Sequence, residues 1–179
     1  MNNDDFAFLS LIEALTRKSE EYRRLNKEDV KLIPNEDLKE AVMDWMFEKV
    51  DADEFIIISK LPTPCQDVYS TVTIMNEVLN GGFNQLFFNS TVEFIEMAHK
   101  GFVSIGLPKL SKLLNQACQV YLDNKEILEK YDDGTIESFS DSYEENLFDD
   151  LDMLFSKEEE NFEKLIIEYI RKNETYFGD

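Results

Sequence analysis

The sequence predicts an all-α fold, in the form of a compact single-domain bundle of helices joined by short loops over residues 1–179. Apolar residues recur at intervals of three and four along most of the chain. Most of the six glycines and four prolines stand at the ends of these periodic segments, where helices begin and end. Apolar residues are 43% of the chain, enough for a core, and the length suits one domain of about 100–200 residues.

The first sixty residues predict N-terminal helices that pack on the rest of the domain. An apolar stripe runs through residues 6–25, and a second helix is expected with Asn35 as its N-cap and carboxylates in its first turn. Residues 53–60 fit a short strand or a buried helical turn. We expect a helix there, because no other segment reads as a strand that could pair with it.

Five signals mark helix starts and ends in the middle of the chain. Thr63-Pro64 is typical of a helix start, and Asn80-Gly81-Gly82 predicts the end of that helix. Ser90-Thr91-Val92-Glu93 has the pattern of a capping box and predicts a helix that carries His99 on its partly buried stripe and ends at Gly106. Pro108 begins the most clearly amphipathic helix, and further helices are expected near residues 147–155 and 162–170.

Negative charge is concentrated in one segment. Residues 126–163 hold fifteen of the 38 acidic residues and two lysines, a net charge of −13 within a total of −20. Such a charge should repel nucleic acid and anionic membranes and attract a basic partner. If residues 145–163 are largely helical, acids recur every three or four residues on one face, a spacing of ~4.5–6 Å that is comparable with that of backbone phosphates.

These observations predict a partner-binding acidic face within residues 132–163. A solvated surface of no specific function is the alternative explanation for such a face. The predicted members are Asp132, Asp133, Glu137, Asp141, Glu144, Glu145, Asp149, Asp150, Asp152, Glu159, Glu160 and Glu163.

Patterns for catalysis, metals and cofactors are weak. His99 is the only histidine, Cys65 and Cys118 are expected to be reduced, and no positioned nucleophile or phosphate-binding loop is recognisable. A calcium loop with Gly134 at its sixth position fails, because Tyr131 and Ser140 then occupy ligand positions. We therefore expect no catalytic residues, no metal and no cofactor. The N-terminus lacks the features of a secretory signal and no apolar run could span a membrane, which predicts a cytoplasmic location.

Residues 80–90 resemble the signature of a bacterial domain family, largely of unknown function, that is named after a double-stranded-DNA-mimic protein. The family pattern is N-G-G-F-x-Q-F-F-x-N-S, and the chain departs from it at Leu86, where an aromatic residue is usual. The similarity extends over residues 61–177. The structural motif assigned to this signature comprises Asn80, Gly81, Gly82, Phe83, Gln85, Phe87, Phe88, Asn89 and Ser90, with Phe88 at the second variable position of the pattern.

The resemblance implies an all-α fold, a homodimer and an acidic surface that occupies the DNA-binding face of a transcription factor. It also implies that the signature residues determine the fold rather than the mimicry. The leading hypothesis is therefore a non-enzymatic DNA mimic whose partner is a basic DNA-binding protein such as a transcriptional regulator. A general acidic interaction or immunity-type module and, less favoured, a carboxylate- or metal-dependent enzyme are the alternatives.

Overall fold

The computed structural model describes residues 12, 14, 16–50 and 53–179, and all regular secondary structure among them is helical. This confirms the predicted all-α fold. Residues 16–22 are helical, and the predicted stripe N-terminal to them falls mostly outside the described residues. The α-helices that follow are α1 (Lys27–Val30), α2 (Asn35–Lys49), α3 (Glu54–Ile58), α4 (Thr63–Phe88), α5 (Ile95–Ile105), α6 (Pro108–Asp123), α7 (Lys125–Leu128), α8 (Ile136–Asp141), α9 (Asp149–Ser156) and α10 (Glu159–Lys172).

The chain forms two compact units. The terminal unit comprises Met1–Cys65 and Ile167–Asp179, and the central unit comprises Gln66–Ile166. A single domain over residues 1–179, with residues 1–60 packed on the family-like part, stays a prediction. No described helix is both long and apolar enough to cross a membrane.

Arg171 joins the two chain segments of the terminal unit. Its guanidinium donates hydrogen bonds to the carbonyl of Val30 at 2.9 Å, to the carbonyl of Ile33, and to Oδ1 of Asn35 at 2.9 Å. The prediction that Asn35 caps α2 is therefore wrong. Pro34 precedes the helix without a side-chain cap, because the Asn35 side chain bonds to an arginine 136 residues away.

Aromatic side chains fill the core of the central unit. Phe83, Phe102, Phe155 and Phe162 are fully or almost fully buried. Phe155 meets the ring of Phe83 edge-on at 5.2 Å and that of Phe102 at 5.9 Å, so α9 packs where α4 and α5 meet. Edge-to-face pairs of this kind stabilise a core beyond the area that they bury.

Some predicted helix ends are confirmed and others are wrong. Helix α3 forms, Gly106 ends α5 in the left-handed conformation at φ 98°, and Pro108 starts α6. The expected capping box does not form. Ser90–Phe94 is a 3-10 turn without a side-chain cap, and the α-helix begins only at Ile95. His99 is exposed, so its predicted partial burial is wrong as well.

Candidate acidic interaction surface

The acidic segment is built from short helices within the central unit. It runs through a loop at residues 132–135, helix α8, a 3-10 turn at Ser142–Glu145, helix α9 and the start of α10. The helical conformation is interrupted at Asn146, which has a left-handed φ of 51°, and again in the turn at residues 157–158. The helices expected near residues 147–155 and 162–170 are confirmed as α9 and α10, but these interruptions remove the regular row of carboxylates that residues 145–163 would present if they were largely helical.

Most of the predicted acids nevertheless face solvent. Asp152 and Glu163 are half-buried, and the other ten are exposed. Among the described residues, no lysine or arginine forms an ion pair with any of these ten. The ten exposed acids are Asp132, Asp133, Glu137, Asp141, Glu144, Glu145, Asp149, Asp150, Glu159 and Glu160.

Four of the ten exposed acids lie at helix starts, where a negative charge is favourable. Asp149 and Asp150 lie in the first turn of α9, and Glu159 and Glu160 lie in the first turn of α10. Negative charge at these positions is stabilised by the helix dipole by about 0.3–1 kcal/mol. The acids are thus compatible with their helices, although the broken helices do not give the regular spacing expected from the sequence.

Two exposed acids are held by neighbouring polar groups. Asp133 accepts hydrogen bonds from the backbone N–H of Thr135 at 2.9 Å and from its hydroxyl at 2.7 Å, which lowers the pKa of Asp133. Glu145 accepts a hydrogen bond from the hydroxyl of Tyr131 at 2.7 Å, and this bond raises the pKa of the tyrosine. Both contacts fix carboxylates in the irregular part of the segment.

Asp152 has a structural position that the sequence did not reveal. Its Oδ1 accepts the backbone N–H of Phe83 at 2.8 Å, directly after the helical geometry of α4 is interrupted at Gly81 and Gly82. The first N–H groups of a restarting helix lack partners within the helix, and the glycines have no side chain to supply one. Asp152 therefore caps the restarted helix rather than facing solvent with the other acids.

Further contacts join the acidic segment to the signature. The hydroxyl of Tyr143 donates to the carbonyl of Gly81 at 2.8 Å, and the buried amide of Asn84 donates to the hydroxyl of Ser142 at 2.6 Å. Within the signature, Phe83 is fully buried whereas Phe87 and Phe88 are half-buried. Residues of the signature thus contact residues 142–152 through hydrogen bonds and help to hold them in position.

A pair of substitutions at Asp152 separates its hydrogen bond from its charge. Asp152→Ala should lower the free energy of unfolding at pH 7 by about 1–2 kcal/mol, because the N–H of Phe83 loses its acceptor. Asp152→Asn keeps an acceptor oxygen and should cost less than Asp152→Ala. Urea denaturation followed by circular dichroism measures both, and equal losses for the two variants would contradict the capping role.

The pH dependence of this site has a definite sign. Burial raises the pKa of Asp152, although the bond from Phe83 partly opposes this. The folded state therefore holds the proton of Asp152 more tightly than the unfolded state does, so protonation stabilises the fold. This stabilisation is complete below the unfolded pKa of about 3.9 and is lost as pH rises through the higher folded pKa. The free energy of unfolding of the wild type should therefore fall relative to that of Asp152→Asn across this window. A relative rise would contradict the raised pKa.

The described residues contain no group of three or more histidine, cysteine or acidic side chains placed to hold a metal ion. Both cysteines are free thiols, with Cys65 buried and Cys118 half-buried, and burial raises the pKa of Cys65 to about 12. A thiol of this kind is almost entirely protonated at neutral pH and is a poor nucleophile.

A family model described as DMP19-like protein matches residues 59–173, which is more than half of the chain. The matched range contains the whole signature at residues 80–90 and every member of the predicted acidic face. A comparison with curated proteins gives no match.

Proposed function

The chain belongs to the DMP19-like protein family, and from this premise we propose that it is a non-enzymatic DNA mimic. In this proposal its acidic face binds the DNA-binding surface of a basic protein, such as a transcriptional regulator, and competes with DNA for that surface. The resemblance to the DNA-mimic family also leads us to propose that the protein is a homodimer, and the cytoplasmic location expected from the sequence is a separate part of the proposal.

The observation that carries the proposal is the set of ten exposed carboxylates without a basic partner among the described residues. Glu158, which is not a predicted member, shows the contrast, since it pairs with Lys109 at 2.5 Å. Carboxylates that remain unpaired project a negative field into solvent. Such a field steers a basic partner towards the surface and makes the association sensitive to salt.

The proposed mimicry rests on charge and exposure rather than on a regular row. Duplex DNA carries one phosphate per ~3.4 Å of axis on each strand, and proteins bind it largely through lysine and arginine contacts to these phosphates. Several short helices can present carboxylates to the same basic groups without matching the helical repeat of DNA. A partner that binds phosphates mainly through charge is therefore the kind that this surface would capture.

Two matched variants test the proposal. The face variant neutralises four exposed acids of the acidic face by Asp149→Asn, Asp150→Asn, Glu159→Gln and Glu160→Gln. The control variant neutralises four exposed acids elsewhere by Glu20→Gln, Glu21→Gln, Glu40→Gln and Glu168→Gln. Both variants change the net charge equally, and their helical circular dichroism should match that of the wild type.

Each protein is immobilised and incubated with lysate of the source cell, and bound proteins are eluted with excess duplex DNA. Duplex DNA should elute DNA-binding proteins from the wild type and from the control variant. The face variant should capture roughly tenfold less of these proteins, since each exposed charge pair contributes about 0.2–1 kcal/mol. Equal retention by the face variant and the control would overturn the proposal. Partners that resist duplex DNA would instead indicate an interaction module without DNA mimicry.

A further inference from the structure

A cavity of about 420 Å³ lies between the end of α4 and the loop that precedes α8, entirely within the central unit. It joins the family signature to the acidic face, because both contribute to its walls. Its aromatic side is formed by Phe88, Tyr131 and Phe139, its amide side by Gln85 and Asn89, and one acid of the acidic face, Asp132, also lines it.

The aromatic side presents ring surface to solvent. Phe88, Tyr131 and Phe139 are all half-buried, and the rings of Phe88 and Phe139 meet edge-on with centroids 5.3 Å apart. Phe139 makes a second edge-on contact with Tyr143, also at 5.3 Å. These contacts hold the rings in place, and the exposed face of an aromatic ring attracts a cation.

Hydrogen bonds also fix the amide side of the cavity and one ring of its aromatic side. The amides of Gln85 and Asn89 both donate to Oε2 of Glu77, at 2.6 and 2.9 Å. Tyr131 is held by its hydrogen bond to Glu145 at 2.7 Å. A lining that is already fixed loses little conformational entropy when a ligand enters, so weak contacts can contribute to binding.

We propose that this cavity receives an arginine side chain of the basic partner. This inference rests on the proposed function and identifies the chemical group that one part of the acidic face recognises. A guanidinium group is planar, weakly hydrated and permanently charged, so it stacks on aromatic rings while it donates to a carboxylate. The cavity offers both features, through its three rings and Asp132. Lysine has a compact, strongly hydrated charge and suits such a cavity less well.

The experiment titrates the full chain, labelled with ¹⁵N, with N-acetylarginine amide, N-acetyllysine amide and N-acetylnorleucine amide. The arginine derivative should shift the backbone signals of Phe88, Asn89, Tyr131 and Phe139 in a saturable manner. The lysine derivative should bind more weakly, and the neutral norleucine derivative should give no such shifts. Absence of shifts at these residues, or equal shifts with arginine and lysine, would overturn the inference.

Substitutions make the test specific to the cavity. Asp132→Asn and Phe139→Leu should each weaken binding of the arginine derivative roughly two- to fivefold, because the first removes one exposed ion pair and the second removes one cation–π contact. Asp150→Asn removes an exposed charge that does not line the cavity and should leave the affinity unchanged. If Asp150→Asn weakens binding as much as Asp132→Asn, the probe reads only the general field and the inference fails.

The titration needs no partner, so its failure can be told apart from failure of the proposed function. A chain that releases DNA-binding proteins to duplex DNA but shows no arginine response at the cavity loses only the cavity inference. A chain whose cavity binds arginine but which captures no DNA-displaceable protein keeps the arginine site and loses the DNA mimicry.

Discussion

Phe83→Ala is expected to lower the free energy of unfolding by about 3–5 kcal/mol, the usual range for removing a fully buried phenylalanine. The side chain is 0% exposed and packs edge-on against Phe155 with ring centroids 5.2 Å apart. It also lies 6.3 Å from the ring of Phe148, which directly precedes α9. Its removal would leave a cavity where α4 meets α9 and would loosen the base of the acidic face.

Urea denaturation followed by circular dichroism measures this loss, with Leu122→Ala as the control. Leu122 is 62% exposed on α6, so its truncation should change the free energy of unfolding by no more than about 0.5 kcal/mol. A loss below about 1 kcal/mol for Phe83→Ala would mean that the signature phenylalanine is not the fold determinant that its burial indicates.

Gly82→Ala is expected to lower the free energy of unfolding by about 2–4 kcal/mol. Gly82 has φ 70° and ψ −176°, a conformation that is essentially restricted to glycine and costs other residues about 1–3 kcal/mol. A Cβ at this position would also overlap the carboxylate of Asp152. The carboxylate would have to move and lose its hydrogen bond to Phe83, which adds about 1 kcal/mol.

Gly134→Ala is the matched control. Gly134 also has a positive φ, of 81°, but an added Cβ would meet nothing within 4 Å, so only backbone strain of about 1 kcal/mol is expected. Combining Gly82→Ala with Asp152→Ala tests the proposed clash, because the glycine substitution should cost less once the carboxylate is gone. Additive losses from the two substitutions would show that the side chains do not interfere.

The sequence predicted features that depend on local chemistry and missed those that depend on distant contacts. Gly106 and Pro108 act through their own backbone preferences, so the helix end and start that they mark were recognisable. Asn35 and Asp152 also have the expected local patterns, but partners 136 and 69 residues away determine what their side chains do. Such partners are not visible in a helical periodicity.

The candidate site divides in the same way. The concentration of charge in residues 126–163 predicted an acidic partner-binding face but not which of its acids are exposed. Ten of the twelve predicted members face solvent in the structure, and their binding of a partner stays a prediction. The spacing of those acids could not be predicted, because it depends on where the helical conformation is interrupted, at Asn146 and at residues 157–158. One signal for Asp152 was present, since a helix that restarts after two glycines needs an acceptor from elsewhere.

Competition for one binding surface tests the central claim most directly. A DNA-binding protein captured by the chain is bound to a fluorescent duplex carrying its recognition sequence, and the fluorescence anisotropy is followed as the chain is added. DNA mimicry predicts that the anisotropy falls to the value of free duplex with the wild type and the control variant, and that the face variant needs roughly tenfold more protein. Anisotropy that stays high or rises at saturating chain would show that chain and DNA bind the partner together, which contradicts mimicry.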